Sequence, residues 1–236
     1  MSKNSSHNSH DSRQLLAIID YGSGNLRSVA KAFEKIIRDE ALPIEVLITS
    51  RADDILRADR IVLPGQGAFG DCMAGLRGIQ GMISALEQAV ISQTKPFLGI
   101  CVGMQLLASR GLEGGTYEGL GWIAGDVELM RPDDRDEGLS LKIPHMGWNT
   151  LSLDTLNTSH PVLAGITADT HFYFVHSYAF KPYEDTQNCV LAACEYGEEI
   201  PAIIGRDNII GTQFHPEKSH DAGLALLGNF LHWSPK

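Results

Sequence analysis

The sequence predicts an α/β fold: one domain on a mostly parallel central sheet flanked by helices, with additional antiparallel strands in its second half. Three observations carry this. Through the first hundred residues, short unbroken apolar runs alternate with helical patterns, the mark of strands covered on both faces by crossover helices. After residue 115 strand-like runs follow one another without intervening helices. The 236 residues are 43% hydrophobic and 20% charged, enough apolar material for one substantial core.

The elements follow in order. "LLAIIDYG" (15–22) reads as a buried strand. "NLRSVAKAFEKIIRDE" (25–40) puts Leu26, Val29, Ala30, Phe33, Ile36 and Ile37 on one face at helical spacing. "IEVLITS" (44–50) and "RIVLPG" (60–65) are the next strands, and "MAGLRGIQGMISALEQAVIS" (73–92) reads as one helix despite its internal glycines. "PFLGI" (96–100) is a strand that runs straight into a turn at Cys101 and a further helix. The second half contributes strand-like stretches at 121–130, 141–153, 171–180, 188–197 and 201–215, and the chain closes with the helix "GLALLGNFLHW" (223–233). "RPDDRDEG" (131–138), with its mixed charges, reads as a solvated turn.

Several classes are disfavoured. The first 13 residues, with His7 and His10, are polar throughout and lack a secretory apolar segment, so they read as a disordered tail ahead of a domain spanning 14–236. No run approaches 18 apolar residues, so a membrane helix is not expected. A net charge of −10 argues against nucleic acid as a partner. Cys72, Cys101, Cys189 and Cys194 have neither CxxC nor zinc-like spacing, which fits reduced thiols in a cytoplasmic protein.

Gly99-Ile100-Cys101-Val102-Gly103 fits the G-x-nucleophile-x-G pattern. A strand that turns at once into a helix strains the backbone at the nucleophile, and flanking side chains would clash there. The helix N-terminus then favours a thiolate. Taken alone, the string also fits a buried, inert thiol, the commoner state of free cysteine. A thiol nucleophile needs a base and a group to orient it. His215 and Glu217 in "IIGTQFHPEKSH" (209–220) follow an apolar strand, with Pro216 stiffening the link between them. A metal site through His215 and His220 has only spacing in its favour. "PGQGAFG" (64–70) follows the strand "RIVL" and offers glycine-freed backbone N–H groups for an oxyanion. "DYGSGNL" (20–26), with Glu45 beyond it, has part of a dinucleotide fingerprint, but Arg27 stands where the third glycine would be.

Together PGQGAF, GICVGMQLL and QFHPEKS resemble the class I (triad) glutamine amidotransferases over residues 14–236. "DYGSGNLRSV" and "PHMGWN" (144–149) look like the glutaminase subunits of imidazole glycerol phosphate synthase within that family. The resemblance implies a flavodoxin-like architecture. It also implies a mechanism in which Cys101 attacks the glutamine side-chain amide, His215 handles the proton and Glu217 orients the imidazole. Gly67 and Val102 would supply oxyanion N–H groups. Gly65, Gln105, Glu113, His176, Ser177 and Tyr178 match substrate-binding positions. No metal or organic cofactor is implied. The implied partner is a (β/α)-barrel cyclase, forming a heterodimer in which Asn25, Trp148 and Lys218 match interface positions; for Trp148 a core aromatic is the other reading. Gln66 stands where many relatives carry valine, a departure that bears on loop switching and not on the chemistry. An amidotransferase of another synthase, or a non-catalytic subunit of the same fold, would be the alternatives.

Overall fold

The computed structural model of the protein describes residues 13–132, 141–153 and 159–235. The predicted tail, apart from Arg13, and most of the predicted turn at 131–138 lie outside them. The main sheet runs in the order β2-β1-β3-β4-β14-β13-β12-β9. Its strands are β1 (Gln14–Ile19), β2 (Ile44–Thr49), β3 (Arg60–Gly65), β4 (Phe97–Cys101), β9 (Ser152–Leu153), β12 (Val190–Glu195), β13 (Glu199–Arg206) and β14 (Ile209–Thr212). From β2 to β14 neighbouring strands are parallel; β13, β12 and β9 continue antiparallel.

β3 and β4 are buried along their whole lengths, as unbroken apolar runs require in a parallel sheet. β2 is different. It is an edge strand and stays partly exposed despite its apolar sequence, with Ile48 at the surface. α1 (Leu26–Asp39) buries Val29, Ala30, Phe33 and Ile36, while Leu26 and Ile37 sit partly buried at the rim of the same face. The Phe33 ring meets Phe230 of α6 (His220–His232) at 6.3 Å between centroids. Between β2 and β3 a short helix, α2 (Ala52–Arg57), opens with Asp53 and Asp54 in its first turn.

The single helix expected over 73–92 is broken. α3 (Phe69–Gly78) starts earlier than the apolar pattern suggests, and its Phe69 N–H donates to Glu113 Oε2 at 2.8 Å. Gly81, in the left-handed region at φ 76°, then resets the chain before α4 (Met82–Leu86). Glu87–Ser92 continues as a π-helical turn.

Two smaller sheets stand beside the main one. β5 (Arg110–Gly111), β6 (Tyr117–Glu118), β7 (Gly125–Leu129) and β11 (Tyr178–Pro182) form one, in the order β11-β7-β5-β6. β8 (His145–Thr150) and β10 (His171–His176) form an antiparallel pair, with Trp148 opposite Tyr173 and His145 opposite His176. Because β1, β3, β4 and β14 are parallel, the segments that follow them all emerge at one sheet edge. This edge gathers residues 20–25, 66–68, 101–102 and 213–218.

Candidate active site

Cys101 ends β4 and precedes the single-turn helix α5 (Val102–Gln105). Its backbone is at φ 54°, ψ −113°, a strained conformation for a residue with a Cβ. The glycines around it are demanded by packing. A Cβ on Gly103 would lie 1.8 Å from the Leu63 carbonyl oxygen, and one on Gly99 would lie 2.5 Å from the Gly103 oxygen. Neither a strand nor a turn alone requires such glycines; the close stacking of β3, β4 and α5 does.

His215 follows β14, with its backbone N–H bonded to Tyr173 O at 2.9 Å and its carbonyl accepting from Ser219 Oγ at 2.7 Å. Its Nδ1 and Glu217 Oε1 are 2.9 Å apart, and both side chains are almost wholly buried. The second nitrogen of the ring is thereby left to the Cys101 sulfur. Burial pushes the imidazole down, but hydrogen bonds to Cys101 and Glu217, together with their charges, outweigh it and raise the group to about 9. Glu217 Oε2 is buried and accepts no hydrogen bond from the described residues, so the imidazole is the principal partner of that carboxylate. Gln213 donates from Nε2 to Cys101 Sγ at 3.8 Å, and its Oε1 accepts from Gln105 Nε2 at 3.0 Å.

Cys101 and His215 face a cavity of about 340 Å³. Cys101, Val102, Gln105, Glu113 and His215 line it, as do Gln66, Gly67, Pro144 and the segment Val175 to Tyr178. Gly65 does not line it: a Cβ there would sit 2.6 Å from Gly103 N, so this glycine packs beneath the cavity wall. Gly67 is at φ 99°, open to a turn that other residues rarely adopt. The Gln66 carbonyl is held by the Ser23 hydroxyl, and by Cys72 Sγ at 3.4 Å. That contact ties "DYGSGNL" to the loop after β3, with Tyr21 O–H bonded to Pro64 O at 2.8 Å beside it.

Trp148 is 47% exposed rather than in the core. Its ring stacks on His220 at 5.1 Å and 5°, and Lys218 Nζ lies 5.9 Å from the centre of the neighbouring Tyr173 ring. His220 therefore turns to the tryptophan, and among the described residues no group of three or more His, Cys, Asp or Glu side chains is arranged to hold a metal ion. Asn25 caps α1 by position without a side-chain cap bond. No described helix is long and apolar enough to cross a membrane.

Sequence reasoning missed Gln213, Ser23, Cys72, His145 and Asn149. A signal existed for Gln213, because alternate residues of an extended segment share a face and it stands two before His215. The others are brought in by contacts across the chain.

A cysteine on a strained strand-to-helix turn, with a buried histidine–carboxylate pair at the same sheet edge, has the arrangement of a triad-type acyl-transfer site. The chain belongs to the class-I glutamine amidotransferase family, whose model matches residues 17–233. Within it, the chain is similar to imidazole glycerol phosphate synthase subunit HisH of Rhodospirillum rubrum, 55% identical over 220 residues, covering 93% of this chain and 99% of that one. The HisH subunit of Mesorhizobium japonicum is 52% identical over 226 residues, with coverages of 93% and 99%. Solved structures share the fold. A glutamine amidotransferase of Thermotoga maritima superposes with a TM-score of 0.62 at 14% identity, covering 94% of this chain and 97% of that one. A second glutamine amidotransferase gives 0.63 at 16%, covering 92% and 97%.

Proposed function

We infer that the protein is the glutaminase subunit of imidazole glycerol phosphate synthase, hydrolysing glutamine and passing ammonia to a cyclase subunit. The observation that carries the chemistry is the buried His215–Glu217 pair, 2.9 Å apart, hydrogen-bonded onward to Cys101 in the wall of the cavity. The near-complete coverage of relatives named as that synthase's HisH subunit supports the assignment within the family.

Cys101 sulfur gives its proton to His215 and attacks the amide carbon of the glutamine side chain. The developing oxyanion is taken by backbone N–H groups at Gly67 and Val102, a contribution of roughly 10²–10³ in rate for one good donor. His215 returns the proton to the departing nitrogen, ammonia leaves and a γ-glutamyl thioester remains on sulfur. Water, deprotonated by His215, then releases glutamate. Glu217 fixes the tautomer and stabilises the imidazolium that forms. Gln105, Glu113 and the segment His176-Ser177-Tyr178 hold the amino-acid end of the substrate; Gly65 supports the wall. These steps call for no metal or organic cofactor.

In water near neutral pH ammonia is almost wholly ammonium, so a donor of this kind works through an attached acceptor. Here that acceptor is a (β/α)-barrel cyclase converting PRFAR to imidazole glycerol phosphate and AICAR in histidine biosynthesis. Asn25 and Lys218 are at the main-sheet edge, and Trp148 of β8 stacks on His220 just beyond it; these three residues would meet the cyclase in a cytoplasmic heterodimer. The domain is the chain from 14 onward, behind a short polar tail. Glutamine hydrolysis measured with and without the matching cyclase and PRFAR tests this: activity is expected to rise strongly in the complex. Equal activity in the isolated chain, or none in either, contradicts it.

A further inference from the structure

Beside the cavity, His145 and His176, the latter in its wall, form a hydrogen-bonded pair of histidines that reaches towards Cys101. Asn149 is fixed at both ends by main chain: its Oδ1 accepts from Thr150 N at 2.8 Å and its Nδ2 donates to Glu195 O at 2.9 Å. The remaining Nδ2 hydrogen faces His145 Nε2 at 3.3 Å. His145 Nδ1 faces His176 Nε2 at 3.2 Å, and His176 Nδ1 faces the Tyr178 carbonyl at 3.0 Å. A carbonyl only accepts, so His176 carries its hydrogen on Nδ1 and accepts on Nε2. His145 must then donate from Nδ1 and accept from Asn149. With both rings neutral, one arrangement of hydrogens satisfies every contact.

The same Tyr178 carbonyl also accepts from Gln105 Nε2 at 2.9 Å. That second anchor sets the Gln105 amide so that its other hydrogen reaches Gln213, whose own amide donates to Cys101 sulfur. Stacking holds the His145 plane, between Phe174 at 4.8 Å and Tyr196 at 4.0 Å. Burial drives both rings down to about 4, in keeping with neutral imidazoles.

We propose that Asn149 and His145 are positioning residues for the nucleophile: acting through His176 and the Tyr178 carbonyl, they hold Gln105, and through it Gln213, with a donor aimed at the Cys101 sulfur. Such a donor favours negative charge on sulfur. The kinetic part of this inference rests on the glutaminase function above; the structural part does not.

Two measurements decide it. In the full chain with 15N-labelled histidine, long-range nitrogen–proton correlations at neutral pH are expected to show two neutral rings carrying hydrogen on Nδ1, assigned to 145 and 176 by their loss in single variants. An Nε2 hydrogen or a charged ring at either site overturns the proposal. The second measurement uses His145→Phe, which keeps a ring between Phe174 and Tyr196 but cuts the hydrogen bonds. It is expected to slow iodoacetamide alkylation of Cys101, and kcat for glutamine in the cyclase complex, by about tenfold, the scale of one weakened hydrogen bond to a charged group, with KM changed far less. His145→Gln, which can still donate and accept, is expected to recover much of both. A folded His145→Phe protein with unchanged alkylation and kcat refutes the coupling. If His145→Phe does not fold, Asn149→Asp, which cannot donate, serves with the same readouts and the same criteria. Should the wild-type complex hydrolyse no glutamine, the assigned function fails while tautomer and alkylation still judge the relay.

Discussion

His215 and the pair His145 and His176 are equally hidden from solvent, yet they titrate in opposite directions. All three are no more than 6% exposed. His215 rises to about 9 because hydrogen bonds to, and the charges of, Cys101 and Glu217 outweigh its burial. His145 and His176 fall to about 4 because burial dominates and their immediate hydrogen-bond partners are an amide, a carbonyl and each other. Burial alone therefore does not decide what a histidine does; the charge of its partner does. One environment favours the protonated ring and the other the neutral one.

The contrast can be broken most severely at the sulfur. Cys101→Ala is expected to reduce glutamine-dependent synthesis by about 10⁴-fold or more, while ammonia-dependent synthesis by the cyclase persists. Parallel assays with the two nitrogen sources check this, and glutamine still serving as donor would remove Cys101 from the mechanism.

Next comes the carboxylate. Glu217→Gln keeps the shape but loses the charge, so His215 is expected to titrate below its present value of about 9 and kcat to fall by roughly 10²–10⁴. Histidine titration by NMR beside steady-state kinetics reads both effects.

The acid limb of stability sharpens the other side. A ring depressed from 6.5 to about 4 contributes fully above the unfolded value and is lost as pH falls from 6.5 towards 4. Denaturant titrations at several pH values are expected to lose on the order of 3 kcal/mol per ring across that window, and correspondingly less in His145→Phe, which has one ring fewer. His215 runs the opposite way: its contribution is complete below 6.5 and fades as pH rises through about 9.

The smallest effect belongs to Tyr196→Phe. It removes the hydroxyl bond to Lys142 O at 2.8 Å but keeps the ring against His145. A loss of about 1 kcal/mol with the His145 titration unmoved is expected by thermal melts and NMR. A shifted titration would show that the hydroxyl, and not the stack, holds the ring.

Much of the parallel half was legible because its strands are unbroken apolar runs and its helices keep one apolar face. The edge strand β2 shares that apolar composition yet lies half exposed, since composition does not say which strand ends a sheet. The break at Gly81 was hidden because a glycine inside an apolar helical pattern reads as tolerated until its φ is known. At the site, the elbow glycines and the His215-Pro216-Glu217 string announced themselves through local chemistry. His145 did not: its role depends on facing His176 across the β8–β10 pairing, 31 residues away, and on a tautomer fixed by backbone groups at both ends.

The glycine packing beneath the nucleophile has a mechanical meaning. A Cβ on Gly65 would stand 2.6 Å from Gly103 N, so the end of β3 and the first turn of α5 touch backbone to backbone. The side-chain atom nearest that contact, the Tyr21 hydroxyl, is itself tied to Pro64 O at 2.8 Å. A push on the loop after β3 would thus bear directly on Val102 and Gly103, the residues that follow Cys101.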